Sequence, residues 1–264
     1  MTPWLAYLGI GALVGFAAGL LGIGGGVVMV PLLALVFAAE QLPAEHVLHL
    51  ALGTAMAAMV FTSIASMRAH HKHGAVDWPI ARAMSPGMLV GSFCAALIAG
   101  LIPTRPLALL FAVLVCYAAT QMLLDLKPRS QRELPGPAGI FAAGTVIGAV
   151  SSLAAVGGAF LTIPFLTWCK LPLRRAIGTA AANGLPIAIA GTAGYVLHGL
   201  RARNLPSASV GFVYLPAFAL VVATSMLAAP LGARLAHRLP VKRLRMLFAL
   251  LLYFFAVRML IGVW

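Results

Sequence analysis

The chain has 264 residues, 62% apolar and only 9% charged, with a mean hydropathy of +1.03. A water-soluble domain carries ~25% charged and ~45–50% apolar residues. The composition therefore excludes a soluble enzyme, a disordered chain and a nucleic-acid-binding domain. The net charge of +13, from eighteen Lys and Arg against five Asp and Glu, becomes a membrane signature, since basic residues collect in cytoplasmic loops. They are scattered between apolar runs and form no continuous stripe that would suit a nucleic acid.

In chain order, Met1-Thr2-Pro3-Trp4 lacks the positive start of a cleaved leader, so the first apolar run is expected to be retained. That run, Trp4 to Ala39, is 36 residues without a charge, cut by Gly22-Ile23-Gly24-Gly25-Gly26. A straight helix of that length would measure ~54 Å, too long for a hydrocarbon core of ~30 Å. Glycine runs make poor helix interiors, so two shorter helices joined at the glycines are expected. Three ordinary spans follow: Val47 to Met67, Pro79 to Leu101 and Leu107 to Leu124. After a polar, proline-rich linker, Asp125 to Pro137, comes a second long run, Ala138 to Cys169, cut by Val156-Gly157-Gly158-Ala159. Three more spans complete the chain: Ala176 to Leu197, Val210 to Leu231 and Leu244 to Trp264.

Charge decides whether the broken runs cross. If each returns to the side it entered, one side collects fourteen of the eighteen basic residues, leaving Arg105, Arg201, Arg203 and Arg258 on the other; if each crosses once, the split is nine against nine. The positive-inside rule favours the first arrangement, an integral plasma (inner) membrane protein with both termini on the non-cytoplasmic side. Trp4 and Trp264 then fall at the outer interface, Trp78 and Trp168 at the inner one.

The halves echo each other. Gly24-Gly25 then Pro31 matches Gly157-Gly158 then Pro164, and Gly53-Thr54 matches Gly178-Thr179. Each half holds one broken hairpin and three spans, an odd number, so the second half enters from the opposite side. The expected fold is all-α integral membrane, a single transporter domain over residues 1–264. It is built of two inverted-topology repeats (4–126 and 138–264), each a glycine-broken hairpin plus three transmembrane helices, with the 125–137 linker cytoplasmic.

Gly11, Gly15 and Gly19, at four-residue spacing, read as close helix packing. Three consecutive glycines exceed what packing needs. They open a helix N-terminus near Val27, whose free N–H groups and positive dipole end attract anions. A backbone anion site is therefore expected at Gly24, Gly25, Gly26 and Val27, and in the second repeat at Gly157, Gly158 and Ala159, with equivalent Thr54 and Thr179 beside it. Asn183, whose amide a dry helix cannot satisfy alone, is a further candidate.

Gly22-Ile23-Gly24-Gly25-Gly26-x-x-x-x-Pro31, its paler copy, the two Gly-Thr pairs and the stretch Ala176-Ile177-Gly178-Thr179-Ala180-Ala181 resemble the sulfite exporter TauE/SafE family, as does Pro230-Leu231-Gly232-Ala233-Arg234. The resemblance covers nearly the whole chain and implies transport of small anions such as sulfite, sulfoacetate, other sulfonates and carboxylates. The second glycine motif departs from the family pattern, reading Ala155-Val156-Gly157-Gly158-Ala159.

No span carries a central carboxylate, which argues against a cation transporter. His70, His71 and His73 beside Lys72 read as a solvated turn, and Cys94, Cys116 and Cys169 as small buried hydrophobes. No nucleophile–base pair or metal-ligand set lies at matched depth, so neither enzymatic activity nor a cofactor or metal is expected. The reading is a secondary transporter of a small organic or sulfur-containing anion, working by alternating access in a lipid bilayer. Homo-oligomerisation and coupling to protons or sodium are left open. The alternatives are a membrane-embedded enzyme or a non-transporting scaffold.

Overall fold

The computed structural model describes residues 3–21, 25–124, 133–236 and 241–262. The expected Gly24, most of the linker and Trp264 lie outside the described residues. Helices account for nearly all the rest: α1 (Pro3–Leu21), α2 (Gly26–Ala39), α3 (Val47–Lys72), α4 (Trp78–Leu101), α5 (Thr104–Leu124), α6 (Pro137–Leu153), α7 (Ala159–Trp168), α8 (Leu173–Gly199), α9 (Leu215–Ala236) and α10 (Val241–Gly262). Among them α3, α4, α5 and α8 are long and apolar enough to cross a membrane. Both long apolar runs break where the glycines stand. A short antiparallel pair, β1 (Ser209–Val210) and β2 (Val213–Tyr214), takes the first residues expected of the span from Val210, so α9 begins at Leu215.

The first broken run does return. Tyr7, near the start of α1, and Phe37, near the end of α2, meet with ring centroids 6.1 Å apart, and the Tyr7 hydroxyl donates to the Glu40 carboxylate. These contacts require α2 to fold back along α1.

The seams between helices are cut by glycines. A Cβ on Gly11 or Gly15 of α1 would run into the backbone of Val221 and Ser225 on α9. Gly144 and Gly148 on α6, 133 residues further on, lie the same way against Met84 and Met88 of α4. Small residues at such spacing let helix backbones approach where lipid supplies no hydrophobic drive for association. Gly11 and Gly15 thus do what their spacing suggested, while the surroundings of Gly19 lie outside the described residues. Further pairings are α4 with α8, α3 with α9, α5 with α10, α2 with α3 and α7 with α8.

At the centre α3 packs on α8. His46 Nε2 lies 3.1 Å from the Arg203 carbonyl at one end of this pair, and Arg174 donates to the His73 carbonyl (2.9 Å) at the other. The two helices therefore run antiparallel. Asp77 caps α4 by accepting from the Ile80 N–H (3.4 Å), with Pro79 in the first turn, where a missing N–H costs nothing. Of the cysteines only Cys169 is buried; Cys94 is exposed on α4 and Cys116 is intermediate, so the expectation of three buried thiols fails at Cys94, which falls on the outward face of its helix.

Candidate functional site

Each short helix of the broken runs opens on a glycine in the left-handed region: Gly25 at φ 63° before α2, and Gly158 at φ 73° before α7. Side chains rarely adopt that conformation, and here it turns the chain sharply enough to start a new helix. The Gly25 carbonyl accepts from the N–H groups of Val28 and Met29 (both 3.2 Å), and the Gly158 carbonyl from Leu161 (3.1 Å) and Thr162 (2.8 Å). Helix geometry leaves the N–H groups of Gly26 and Val27, and of Ala159 and Phe160, without intrahelical acceptors. The Gly158 N–H, expected to be free, instead donates to the Val156 carbonyl at 2.7 Å.

The two tips meet. A Cβ on Gly26 would strike the Ala155 carbonyl, so the first hairpin abuts the break in the second. Met59 of α3 flanks Gly26, while Ser63 of α3 and the Gly157 carbonyl flank Gly184 of α8. Gly26, Gly157 and Asn183 therefore gather at the midpoint of the central α3–α8 pair.

Thr54 and Thr179 stand elsewhere. The Thr54 hydroxyl accepts the Tyr214 N–H (2.9 Å) and the Thr179 hydroxyl accepts the Asp77 N–H (3.0 Å), both threonines being fully buried. The glycine before each admits the same approaching segment: a Cβ on Gly53 would hit the Phe212 carbonyl, and one on Gly178 the Ala75 carbonyl. Each Gly-Thr pair thus clasps the chain that leads into a helix of the other half, α9 for Thr54 and α4 for Thr179, about 7.5 Å of helix rise from the hairpin level.

Sequence reasoning missed the polar groups that do line a tip. Ser151 Oγ and Thr162 Oγ1 stand 3.4 and 3.5 Å from where a Gly158 Cβ would be, and neither has a hydrogen-bond partner, although both residues are fully buried. Ser152 Oγ and Asn183 Oδ1 are also buried and unpartnered, and Asn183 Nδ2 makes only a weak contact, 3.6 Å, with Met84 Sδ. A buried polar group without a partner costs about 1–3 kcal/mol, and all four belong to the second half of the chain, with Ser151 and Thr162 sharing the Gly158 tip. The Ser151-Ser152 pair immediately upstream of the glycine break was the available signal. It carries no echo in the first repeat, where the same offset gives Ala18 and Gly19, with Met29 in the place of Thr162.

Thr192 follows the ordinary membrane pattern instead, donating to the carbonyl four residues back (2.6 Å). Among the described residues no three His, Cys, Asp or Glu converge as metal ligands.

The family described as sulfite exporter TauE/SafE matches residues 7–259. A probable membrane transporter protein of Haemophilus influenzae is 37% identical over 251 residues, 95% of each chain. The probable membrane transporter protein YdhB of Bacillus subtilis is 29% identical over 71% of this chain and 76% of its own. One from Methanocaldococcus jannaschii is 24% identical over 92% and 90%. No solved structure matches the chain.

Proposed function

Since the chain belongs to the sulfite exporter TauE/SafE family and is a membrane transporter of that type, we propose that its cargo is a small organic or sulfur-containing anion of the sulfite, sulfoacetate or sulfonate kind, carried by alternating access. The observation that carries this reading is the start of α7. A helix N-terminus, with the free N–H groups of Ala159 and Phe160, faces the unpartnered hydroxyls of Ser151 and Thr162 at the centre of the protein. A helix end holds roughly half a positive charge. Hydroxyl donors complete a shell for an oxyanion whose hydration is weak enough to be stripped.

Gly25, Gly26 and Val27, backed by Gly157 and Asn183, bring the second helix end to the same level. Thr54 and Thr179 fix the frame that the hairpins move against. Exchange of numbering between the halves supports an inverted repeat: α1 on α9 answers α6 on α4, α2 on α3 answers α7 on α8, and the two Gly-Thr clasps answer each other. The buried tips give an occluded site, which opens to one side or the other as the hairpins shift.

The test is flux in proteoliposomes against sulfite, short sulfonates and carboxylates, with folded Gly25→Val protein as the control. Val there meets Val14 and Ala18 and resists the left-handed turn. Anion flux lost in the variant supports the reading. Wild-type flux in folded Gly25→Val protein, or movement of cations but no anion, overturns it.

A further inference from the structure

Buried hydroxyls converge at a second place, one helical turn from the α7 tip. The Ile187 side chain of α8 lies against Gly158, and Gly191 stands four residues further along the same face of α8. A Cβ on Gly191 would fall 3.0 Å from the hydroxyl oxygens of both Ser92 on α4 and Ser152 at the end of α6, and would strike Met56 Cε of α3. Tyr195, four residues beyond Gly191, brings its hydroxyl 3.3 Å from the Ser152 carbonyl. Ser92, Ser152, Tyr195 and Met56 are all fully buried.

The three hydroxyls have protons to spare. Ser152 Oγ has no partner. Ser92 donates to the Ile187 carbonyl (2.7 Å), a helical carbonyl whose intrahelical partner is the Gly191 N–H. The Tyr195 hydroxyl donates to the Ser152 carbonyl, which also accepts the Ala155 N–H at 3.3 Å. Ser92 and Tyr195 can therefore turn away without orphaning the carbonyls they hold. What the group lacks is an acceptor, which an oxyanion supplies. The space between the hydroxyls is taken by the Met56 methyl, carried on an unbranched chain with three rotatable bonds that repacks easily. Gly191 is about 6 Å of helix rise from Ile187, toward the end of α8 that holds His198.

We propose that Ser92, Ser152 and Tyr195 form a second station for an oxyanion, next to the α7 tip on a route toward the His198 end of the bundle, and that the Met56 side chain is the plug that closes it. The proposal rests on the reading of the α7 tip as the anion site and adds the step by which the anion leaves it.

The test uses the full chain in proteoliposomes, with its three native cysteines replaced and Ser152→Cys or, separately, Ser92→Cys introduced. The probes are two thiol reagents of similar size, anionic 2-sulfonatoethyl methanethiosulfonate and cationic 2-(trimethylammonio)ethyl methanethiosulfonate. Each introduced cysteine should react at least tenfold faster with the anionic reagent. Met56→Ala should raise that rate several-fold, and Gly191→Ala, whose Cβ enters the station, should lower it at least fivefold. No reaction at either position, equal rates with both reagents, or a rate untouched by Met56→Ala and Gly191→Ala overturns the proposal. Methanesulfonate binding to the protein without introduced cysteines separates this reading from the one it rests on. If Ser151→Ala weakens binding while positions 92 and 152 stay unreactive, the tip stands and the station falls. If both positions react as expected while Ser151→Ala binds methanesulfonate like its parent, the station stands and the tip falls.

Discussion

Ser151 and Thr162 are buried hydroxyls with nothing to bond, and this gives them opposite signatures in stability and in binding. Ser151→Ala removes an orphaned polar atom from the interior, so the ligand-free protein should keep or gain Tm. The same change removes a donor from the bound anion and should weaken binding by about 1–2 kcal/mol, a five- to thirtyfold rise in Kd. Thr162→Val should behave alike. Thr54→Val is the contrasting case, because it strands the Tyr214 N–H that its hydroxyl accepts. It should cost about 1–3 kcal/mol of stability, with little change in the anion affinity of the folded fraction. Calorimetric unfolding with and without anion separates the two classes, and a Ser151→Ala protein with unchanged affinity would remove that hydroxyl from the site. The sequence made the glycines and Asn183 legible, since three glycines in a row and an amide inside an apolar run need a reason. It hid Ser151, because one membrane hydroxyl looks like any other until its neighbours show whether it has an acceptor. It also misassigned the economy of Thr54 and Thr179. Their equivalence by repeat was readable, but that each clasps a segment more than a hundred residues away was not.

At the scale of elements, breaks and seams use glycine for different reasons, and substitutions should separate them. Gly148 has negative φ and lies in mid-helix, where a side chain would be driven into the backbone of Met88. Gly148→Val should therefore part α6 from α4 and lower stability by about 1–3 kcal/mol or more through overpacking, seen as a fall in Tm or loss of folded protein in mild detergent. Gly158 is needed for its φ of 73°. An added Cβ would rest at ordinary distance from the Ser151 and Thr162 hydroxyls but press on the Ile187 side chain, so Gly158→Ala should fold with a smaller penalty while losing anion binding. Equal loss of stability in both variants would mean that the α7 break is only another packing seam. The four-residue spacing of Gly11 and Gly15 declared the seam in advance, and charge-free length declared that both long runs break. The β1–β2 pair was invisible, because two residues per strand are too few for any periodicity; it is held by Gly211 at φ 55° lying against Val196.

For the molecule as a whole, the antiparallel α3–α8 pair fixes which loops share a side, whatever the membrane orientation. The end of α3 and the start of α8 are joined by Arg174 and the His73 carbonyl, and the opposite ends by His46 and the Arg203 carbonyl. Lys72, Lys170, Arg174 and Arg175 thus cluster at one end, and Arg201 and Arg203 at the other. The positive-inside rule predicts the first group in the cytoplasm. In a protein stripped of its three native cysteines, His73→Cys should react with a membrane-impermeant thiol reagent only from the cytoplasmic side, and Arg203→Cys only from the opposite side. Labelling of both from one side would contradict the antiparallel pairing itself, since no rotation of the whole molecule can bring the two ends of a spanning pair to one face. The reverse pattern, each labelled from the wrong side, would keep the fold and invert the protein in the membrane. It would place both termini in the cytoplasm and make the charge count, fourteen against four, the misleading observation.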